Sequence, residues 1–227
     1  SSPSGPDHAG RPHGDVPVVT GRYSDRTRNE PGGTMAEQFD LLITGGTVVD
    51  GTGAPPLQTD VAVRDGVIVA VGPAIDGLAT ETIDASGLLV TPGFVDIHTH
   101  YDGQATWDSA LTPSCWHGVT TAVFGNCGVG FAPVKPGARD YLINLMEGVE
   151  DIPGTVLAEG ISWNWESFPE YLDALERRHY TMDIAAQLPH AALRFYAMGD
   201  RGADHQERPS ESELRVMGDL AEQALHA

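Results

Sequence analysis

The amino-acid sequence predicts an α/β protein in which a small unit of β-strands precedes an incomplete (β/α)8 TIM-type barrel. Residues 39 to 91 carry only strand and turn signals, whereas after residue 92 short apolar strands alternate with segments of helical period. Such alternation is typical of parallel βα units. A complete barrel needs about 250 residues, and only residues 92 to 227 follow the β unit. The barrel is therefore predicted to be truncated, in a chain that we expect to be the N-terminal part of a longer protein.

Residues 1 to 34 differ in composition from the rest of the chain. They are rich in Ser, Pro, Gly, Asp and Arg, and no apolar period runs through them. Segments of this kind bury too little apolar surface to offset their conformational entropy. We predict that residues 1 to 34 are a disordered extension. Met35, which precedes the first regular segment, is a candidate for the natural first residue.

Residues 35 to 91 form the predicted β unit. The apolar run at 41 to 43 ends at Gly45-Gly46, which predicts a short strand closed by a turn. Asp65-Gly66 lies between two apolar runs, and this is a typical hairpin signal. The strands of this unit are predicted at residues 41 to 43, 47 to 51, 60 to 63, 67 to 71, 82 to 85 and 88 to 90.

Residues 92 to 227 form the predicted portion of the barrel. Three apolar strands are predicted, at residues 94 to 97, 119 to 124 and 182 to 186. Apolar residues recur at helical spacing in three other segments, which predicts helices at residues 138 to 147, 167 to 178 and 210 to 226. Ser167 and Ser210 are natural N-caps, and Glu213 is placed to complete a capping box with Ser210.

The charge balance is strongly acidic. Asp and Glu number 32 against 13 Lys and Arg, which gives a formal net charge of -19. Nucleic acids and anionic membranes are bound by clustered cations, so the composition argues against both as partners. The sequence leaves the oligomeric state open.

The cysteine count and the hydropathy pattern favour a cytoplasmic protein. Cys115 and Cys127 are too few for a disulfide framework, and unpaired thiols suit a reducing compartment. No run of about 18 apolar residues predicts a transmembrane helix. No basic stretch followed by an apolar segment predicts a secretory signal.

Two histidines stand at the end of the first predicted barrel strand. His98 and His100 are two residues apart, so in extended backbone their side chains point to the same side. Functional groups of parallel α/β barrels gather at this end of the strands, and two imidazoles on one side can bind one Zn²⁺ ion. Asp102 could orient a ligand histidine or the first turn. A bare His-x-His pair is more often a chance or surface pair, so the prediction depends on the strand before it.

Cys127 ends the second predicted barrel strand, within a glycine-rich turn. A thiolate is a zinc ligand, and the flanking glycines allow close approach of the backbone to a metal or substrate. A buried structural thiol is the alternative interpretation. The run from 125 to 130 lacks the spacing of a phosphate-binding loop. For Cys115, burial against the barrel is the stronger expectation.

A few other polar or aromatic residues are weaker candidates for the site. Trp163 and Trp165 could line a substrate pocket, although packing of a loop is the commoner role for such aromatics. His190 and His205 are possible polar site residues, but a lone loop histidine is seldom a ligand.

Two segments resemble the amidohydrolase superfamily, and three others narrow the resemblance to the N-acyl-D-amino-acid deacylases, or D-aminoacylases. The broader match rests on residues 39 to 53 (FDLLITGGTVVDGTG) and 90 to 100 (VTPGFVDIHTH). The narrower match rests on residues 125 to 133 (GNCGVGFAP), 147 to 153 (EGVEDIP) and 163 to 172 (WNWESFPEYL). The resemblance extends from residue 39 to residue 227.

The resemblance implies a fold, a metal site and a reaction. The β unit would be the N-terminal part of a small β-sandwich built from both chain ends, beside a (β/α)8 barrel. Cys127 would be a zinc ligand where other superfamily members use a carboxylated lysine, and His98 and His100 would serve a second metal position, for one or two Zn²⁺ ions in all. Further histidine ligands and the catalytic aspartate are expected beyond Ala227. The implied reaction is hydrolysis of small-molecule N-acyl-D-amino acids to a carboxylate and a free D-amino acid.

Two alternatives stay open from the sequence. The first is a cyclic amidohydrolase of the hydantoinase or dihydroorotase kind, which shares the first two segments. Asn126-Cys127 favours the deacylase, and Lys135, the one lysine of the chain, lies in a proline-flanked loop. The second is an inactive, truncated metal-binding fragment, because three protein ligands and an acid/base group are not all present in residues 1 to 227.

Overall fold

The computed structural model describes residues 22–23, 37–150 and 152–227 of the chain. Within these residues the strands lie in two sheets: β1 (Arg22–Tyr23), β2 (Gln38–Val48), β3 (Leu57–Arg64), β4 (Val67–Gly72), β5 (Leu78–Asp84), β6 (Leu89–Val90), β7 (Phe94–Thr99), β8 (Val119–Phe124) and β9 (Asp183–Ala186). The prediction of disorder for residues 1 to 34 lies outside the described residues, except at β1.

The first sheet is mixed and contains β1 to β6. The strand order is β1-β4-β3-β2-β5, and β6 also pairs with β2. The hairpin between β3 and β4 turns at Asp65 and Gly66, both at positive φ, as the sequence predicts. Strand β2 pairs antiparallel with β3 and parallel with β5, so the unit is not a simple antiparallel meander.

The predicted break of the first strand at Gly45-Gly46 is wrong. Strand β2 continues through both glycines, with a shift of register against β3 between Ile43 and Gly46. Gly45 has φ +68, and a Cβ on Gly46 would lie 2.5 Å from Val90 Cγ2. Gly45 therefore allows a β-bulge, and Gly46 allows a close contact between strands. In the sequence, a glycine pair in either role cannot be distinguished from a glycine pair in a turn.

This sheet carries a small apolar core. Phe39, Leu42 and Ala62 are buried together. Leu57, Val69, Val71 and Leu78 are exposed. Within the described residues the N-terminal unit is one sheet, so the second layer of the expected sandwich stays a prediction.

The second sheet contains the three strands predicted for the barrel. Its order is β7-β8-β9, and both neighbouring pairs are parallel. The β7–β8 connection carries two short 3-10 turns and the β8–β9 connection carries α-helices. Sequential order and parallel pairing with helical connections are the arrangement of βα units. The alternation seen in the sequence is thus confirmed, and β7 continues two residues past its predicted end, to Thr99.

Five helices follow β8 in the chain: α1 (Arg139–Glu150), α2 (Gly154–Gly160), α3 (Phe168–Glu176), α4 (His190–Met198) and α5 (Glu211–Leu225). The predictions for α1, α3 and α5 are confirmed, and Ser167 and Ser210 both form complete capping boxes. Helices α2 and α4 were missed. Each begins after a proline with no side-chain cap, so the usual start signal is lacking.

The main apolar core is built largely from the long connection between β8 and β9. Trp163 and Trp165 are buried in it, at 8% and 5% exposure, so packing is confirmed as their role. Trp165 Nε1 donates to the Phe131 carbonyl oxygen at 2.9 Å. Cys115 is half-buried against the same core, within a short 3-10 turn (Ser114–His117). No helix in the described part of the chain is both long and apolar enough to cross a membrane.

The cap of α3 gives a test of this architecture. Replacing Ser167 with Ala removes the acceptor for the Glu170 N–H, and we expect the free energy of unfolding to fall by about 1 kcal/mol. Chemical denaturation measures the change. Ser162→Ala, which removes an exposed hydroxyl outside any helix, is the control. Equal stability of the two variants would contradict the capping assignment.

Candidate metal centre

Three donor side chains converge at the carboxyl ends of β7 and β8. They are His98 and His100 at the end of β7, and Cys127 in the turn after β8, and their donor atoms all lie within 4.8 Å of one another. Cys127 Sγ is 3.4 Å from His100 Nε2, and the two imidazole rings are 5.5 Å apart between centroids. The structure thus brings together the three residues singled out from the sequence, and their role as ligands stays a prediction.

The strand ends are shaped locally to make this convergence. Strand β7 shifts register against β8 between Asp96 and Thr99, so that three steps along β7 oppose two along β8. Such a bulge changes which side chains face a given direction and is common near functional sites. The His98 N–H donates a hydrogen bond to Asp96 Oδ1 at 3.1 Å.

The turn that carries Cys127 depends on glycine. Gly125 and Gly128 have φ of +86 and +89, in the left-handed region that favours glycine. A Cβ on Gly125 would lie 2.3 Å from the Gln187 carbonyl oxygen, so no larger residue fits there without displacing backbone. These glycines let the chain reverse directly after β8 and bring the thiol back over the strand ends.

The donor set fits zinc. Imidazole nitrogen and thiolate sulfur are the ligands that Zn²⁺ prefers in proteins. Burial is the main cause of a lowered His100 pKa, which the His98 charge lowers further and the Glu150 charge opposes. A lowered pKa keeps the imidazole neutral near pH 7, and a neutral imidazole is the form that binds a metal.

Glu150 also reaches this site, although no pattern in the sequence predicts it. Its Oε1 atom lies 3.1 Å from His100 Nε2, and the carboxylate is presented at the last residue of α1. Glu150 lies within the segment 147 to 153 that marks the family resemblance. However, it is 50 positions from His100, and no metal-ligand spacing connects the two. The contact depends on how the connection after β8 folds.

Asp102, two residues after His100, is buried. It is 3% exposed, and its Oδ2 atom has no hydrogen-bond partner among the described residues. Burial raises the pKa of this carboxyl to about 8, and the charge of Glu150 acts in the same direction. Its backbone oxygen accepts from the Tyr171 hydroxyl at 2.7 Å. In the described structure no hydrogen bond joins the Asp102 carboxyl to a candidate ligand histidine. His100 Nδ1 also lacks a hydrogen-bond partner there.

His190 and His205, the weaker candidates, do not join the donor cluster in the described structure. His190 begins α4 and packs beside the Cys127 turn, where a Cβ on Gly128 would lie 3.6 Å from the His190 Cβ. His205 is exposed in the loop before α5.

Comparison with known proteins finds a matching family and similar relatives. Residues 81–227 match the amidohydrolase family. The D-aminoacylase of Alcaligenes xylosoxydans xylosoxydans is 37% identical over 190 residues, which cover 84% of this chain and 36% of that protein. The chain therefore spans little more than a third of the length of the curated relative.

Two solved structures are similar to this fold. A crystal structure of D-aminoacylase has a TM-score of 0.68 and 36% identity, covering 83% of this chain and 36% of that one. The N-acyl-D-glutamate deacylase of Bordetella bronchiseptica has a TM-score of 0.65 and 35% identity, covering 84% of this chain and 37% of that one. That deacylase was solved with zinc and with a phosphonate inhibitor that mimics the tetrahedral intermediate of its reaction.

The buried carboxyl of Asp102 predicts a pH-dependent stability. Its folded pKa of about 8 lies above the usual value of 3.8, so the folded state keeps a proton that the unfolded chain loses as pH rises between these values. Stability contributed by the neutral carboxyl is therefore lost progressively from about pH 4 to pH 8, by at most about 1.4 kcal/mol per pH unit.

Asp102→Asn cannot ionise and should not show this loss. In metal-free protein, we subtract the free energy of unfolding of the parent from that of the variant. We expect this difference to be larger at pH 8 than at pH 5. Denaturant titrations at the two pH values measure the difference. Asp173→Asn, which removes a charge from the exposed side of α3, is the control. A constant difference between Asp102→Asn and the parent would contradict the raised pKa.

Proposed function

The chain belongs to the amidohydrolase family, and on that premise we propose that it supplies the first metal ligands of a zinc-dependent hydrolase that cleaves N-acyl-D-amino acids. The observation that carries the proposal is the convergence of His98, His100 and Cys127, with donor atoms within 4.8 Å, at the carboxyl ends of two parallel strands. The relatives named for D-aminoacylase and N-acyl-D-glutamate deacylase activity support the substrate class. The products are a carboxylate and a free D-amino acid.

The residues of this chain hold the metal and set its electrostatic surroundings. When bound, zinc lowers the pKa of its water to about 7 and polarises the amide carbonyl. Cys127 and the two histidines supply nitrogen and sulfur donors for one or two ions. The carboxylate of Glu150, 3.1 Å from His100 Nε2, adds negative charge beside these donors.

Other groups needed for the reaction are expected outside residues 1 to 227. Amide hydrolysis needs a group that takes a proton from water and returns it to the leaving amine. We propose that an aspartate and further histidine ligands, contributed by sequence beyond Ala227, complete the site. The phosphonate bound to the related deacylase supports water addition to a carbonyl as the reaction of this family branch.

The cyclic amidohydrolase alternative is less well supported. Other members of the superfamily resemble this chain in the first two segments but use a carboxylated lysine at the metal. Lys135, the one lysine of this chain, places its Nζ over the Tyr196 ring, 4.7 Å from the centroid. Cys127 instead lies among the donor atoms, as the deacylase interpretation requires.

The domain organisation follows from the same proposal. Residues 1 to 34 are an extension, residues 35 to 91 are the N-terminal part of a β-sandwich completed by later sequence, and residues 92 to 227 begin a (β/α)8 barrel. Cys115 and Cys127 are free thiols, which supports a reducing, cytoplasmic location.

Zinc content tests the ligand assignment. We expect the purified full-length gene product to contain at least about one equivalent of zinc, and Cys127→Ala to lose most of it because the thiolate is removed. Elemental analysis measures the metal. Cys115→Ala, whose thiol packs against the core, should keep the parental content. Unchanged zinc in Cys127→Ala would remove this residue from the site and favour the cyclic amidohydrolase interpretation.

Turnover tests the reaction and the need for further sequence. The full-length gene product should release free D-amino acids from a panel of N-acetyl-D-amino acids, and not from the L-enantiomers. Residues 1 to 227 alone should show no turnover, because the ligand set and the acid/base group are incomplete. Amine release, followed by chromatography, distinguishes the cases. Deacylation by the 227-residue chain would show that its own residues suffice.

A further inference from the structure

The turn that carries Cys127 has unusual backbone freedom for a metal-ligand segment. Asn126 and Cys127 are flanked by Gly125 and Gly128, both at positive φ. The Gly128 N–H donates to the Gly125 carbonyl oxygen at 2.9 Å and closes the turn. Glycine populates many backbone conformations, however, so this bond does not fix where the thiol lies relative to β7. Ligand spacing in a metal site must hold within a few tenths of an ångström. Something outside the turn must therefore restrain it.

On one side, the restraint comes from backbone hydrogen bonds. The Ala191 N–H donates to the Gly128 carbonyl at 2.8 Å, and the Gln187 N–H donates to the Phe124 carbonyl at 2.9 Å. Both bonds connect the turn to the segment that follows β9. They do not connect it to β7, the strand that carries His98 and His100.

On the β7 side, the restraint comes from the side chain of Asn126. Its Nδ2 donates to the carbonyl oxygen of Ile97, at 3.2 Å. Ile97 immediately precedes His98, and Asn126 immediately precedes Cys127. This hydrogen bond joins the two backbone segments that carry the donor atoms, one residue away from His98 on one side and from Cys127 on the other.

This hydrogen bond lies where the regular strand pairing fails. The register of β7 against β8 shifts between Asp96 and Thr99, and side chains take part in hydrogen bonding across this stretch. Besides Asn126, Thr99 Oγ1 donates to the Val123 carbonyl at 3.0 Å. The bulge determines the direction of the histidine side chains. The Asn126 amide hydrogen-bonds to β7 at the point where the regular pairing of β7 with β8 is interrupted.

We infer that Asn126 is a positioning residue for the metal centre, whose side-chain amide sets the distance between the two-histidine strand and the Cys127 thiol. The inference rests on the proposed function, since it concerns zinc binding by these donors. Asn126 does not itself act as a ligand. Its effect passes through the Ile97 carbonyl to the backbone of His98, and through its own backbone to Cys127.

Stability separates this role from a structural one. Within the described residues Asn126 is exposed and Ile97 is 64% exposed. Replacing Asn126 removes one hydrogen bond, whose net contribution to stability is small, so the free energy of unfolding of the metal-free protein should change little. Loss of a residue that orients ligands typically weakens metal affinity 10- to 100-fold. Affinity and stability should therefore respond differently to the same substitution.

The experiment compares Asn126→Ala and Asn126→Gln with the parent, in the full-length gene product. Asn144→Ala, an exposed asparagine on α1, is the matched control. Zn²⁺ affinity is measured by competition with a chromophoric chelator, and metal-free stability is measured by denaturation. The proteins are also loaded with Co²⁺, because its absorption spectrum reports the thiolate bond and the coordination geometry.

We expect Asn126→Ala to bind Zn²⁺ about 10- to 100-fold more weakly, with an altered thiolate-to-cobalt absorption band and nearly parental metal-free stability. Asn126→Gln, which keeps an amide donor, should recover part of the affinity, and Asn144→Ala should match the parent. Parental affinity and spectrum in Asn126→Ala would overturn the inference, as would an affinity loss fully matched by lost stability. Absence of zinc binding by the parent would instead overturn the proposed function.

Discussion

The pairing of β7 with β8 is the contact on which the candidate site depends. Parallel neighbours lie about 4.8 Å apart, and their carboxyl ends meet at one edge of the sheet, so whatever follows each strand is brought within reach of the other. Here Thr99 pairs with Phe124 after the register shift. This register of β7 against β8 brings the imidazoles of His98 and His100 close to the Cys127 thiol in the turn after β8. A slip of one residue would direct the histidines to the other face of the sheet.

The connection between β8 and β9 provides the second requirement, which is a packed support for the strand ends. It carries three helices and most of the buried aromatic side chains. The Tyr171 hydroxyl bonds to the backbone of Asp102, and the Tyr180 hydroxyl bonds to the Ala105 carbonyl at 2.9 Å. These bonds tie the connection to the loop that follows the histidines. The same connection presents Glu150 to His100, so one segment both supports the donors and determines the charge beside them.

Much of this arrangement could be predicted from the sequence. The strands β7, β8 and β9 are short apolar runs with clear ends, and the capping boxes of α3 and α5 mark their helices directly. His98, His100 and Cys127 could be identified because strand ends and ligand chemistry coincide at these positions. Glu150 could not, because its contact with His100 arises from tertiary folding across 50 positions. The bulge in β2 was mistaken for a turn, since a glycine pair gives the same local signal in both settings.

The two thiols of the chain differ in accessibility, and this difference affects how the protein can be handled. Cys115 is half-buried, whereas Cys127 is exposed. Air oxidation proceeds first at accessible thiols, and it advances from a reversible sulfenic acid to irreversible products. In the proposed zinc site, oxidation of Cys127 would leave two imidazole ligands, which would bind zinc more weakly. A preparation stripped of metal in air would therefore fail to reload, whereas one stripped under reductant would recover, and the redox history of a sample would determine its apparent metal stoichiometry.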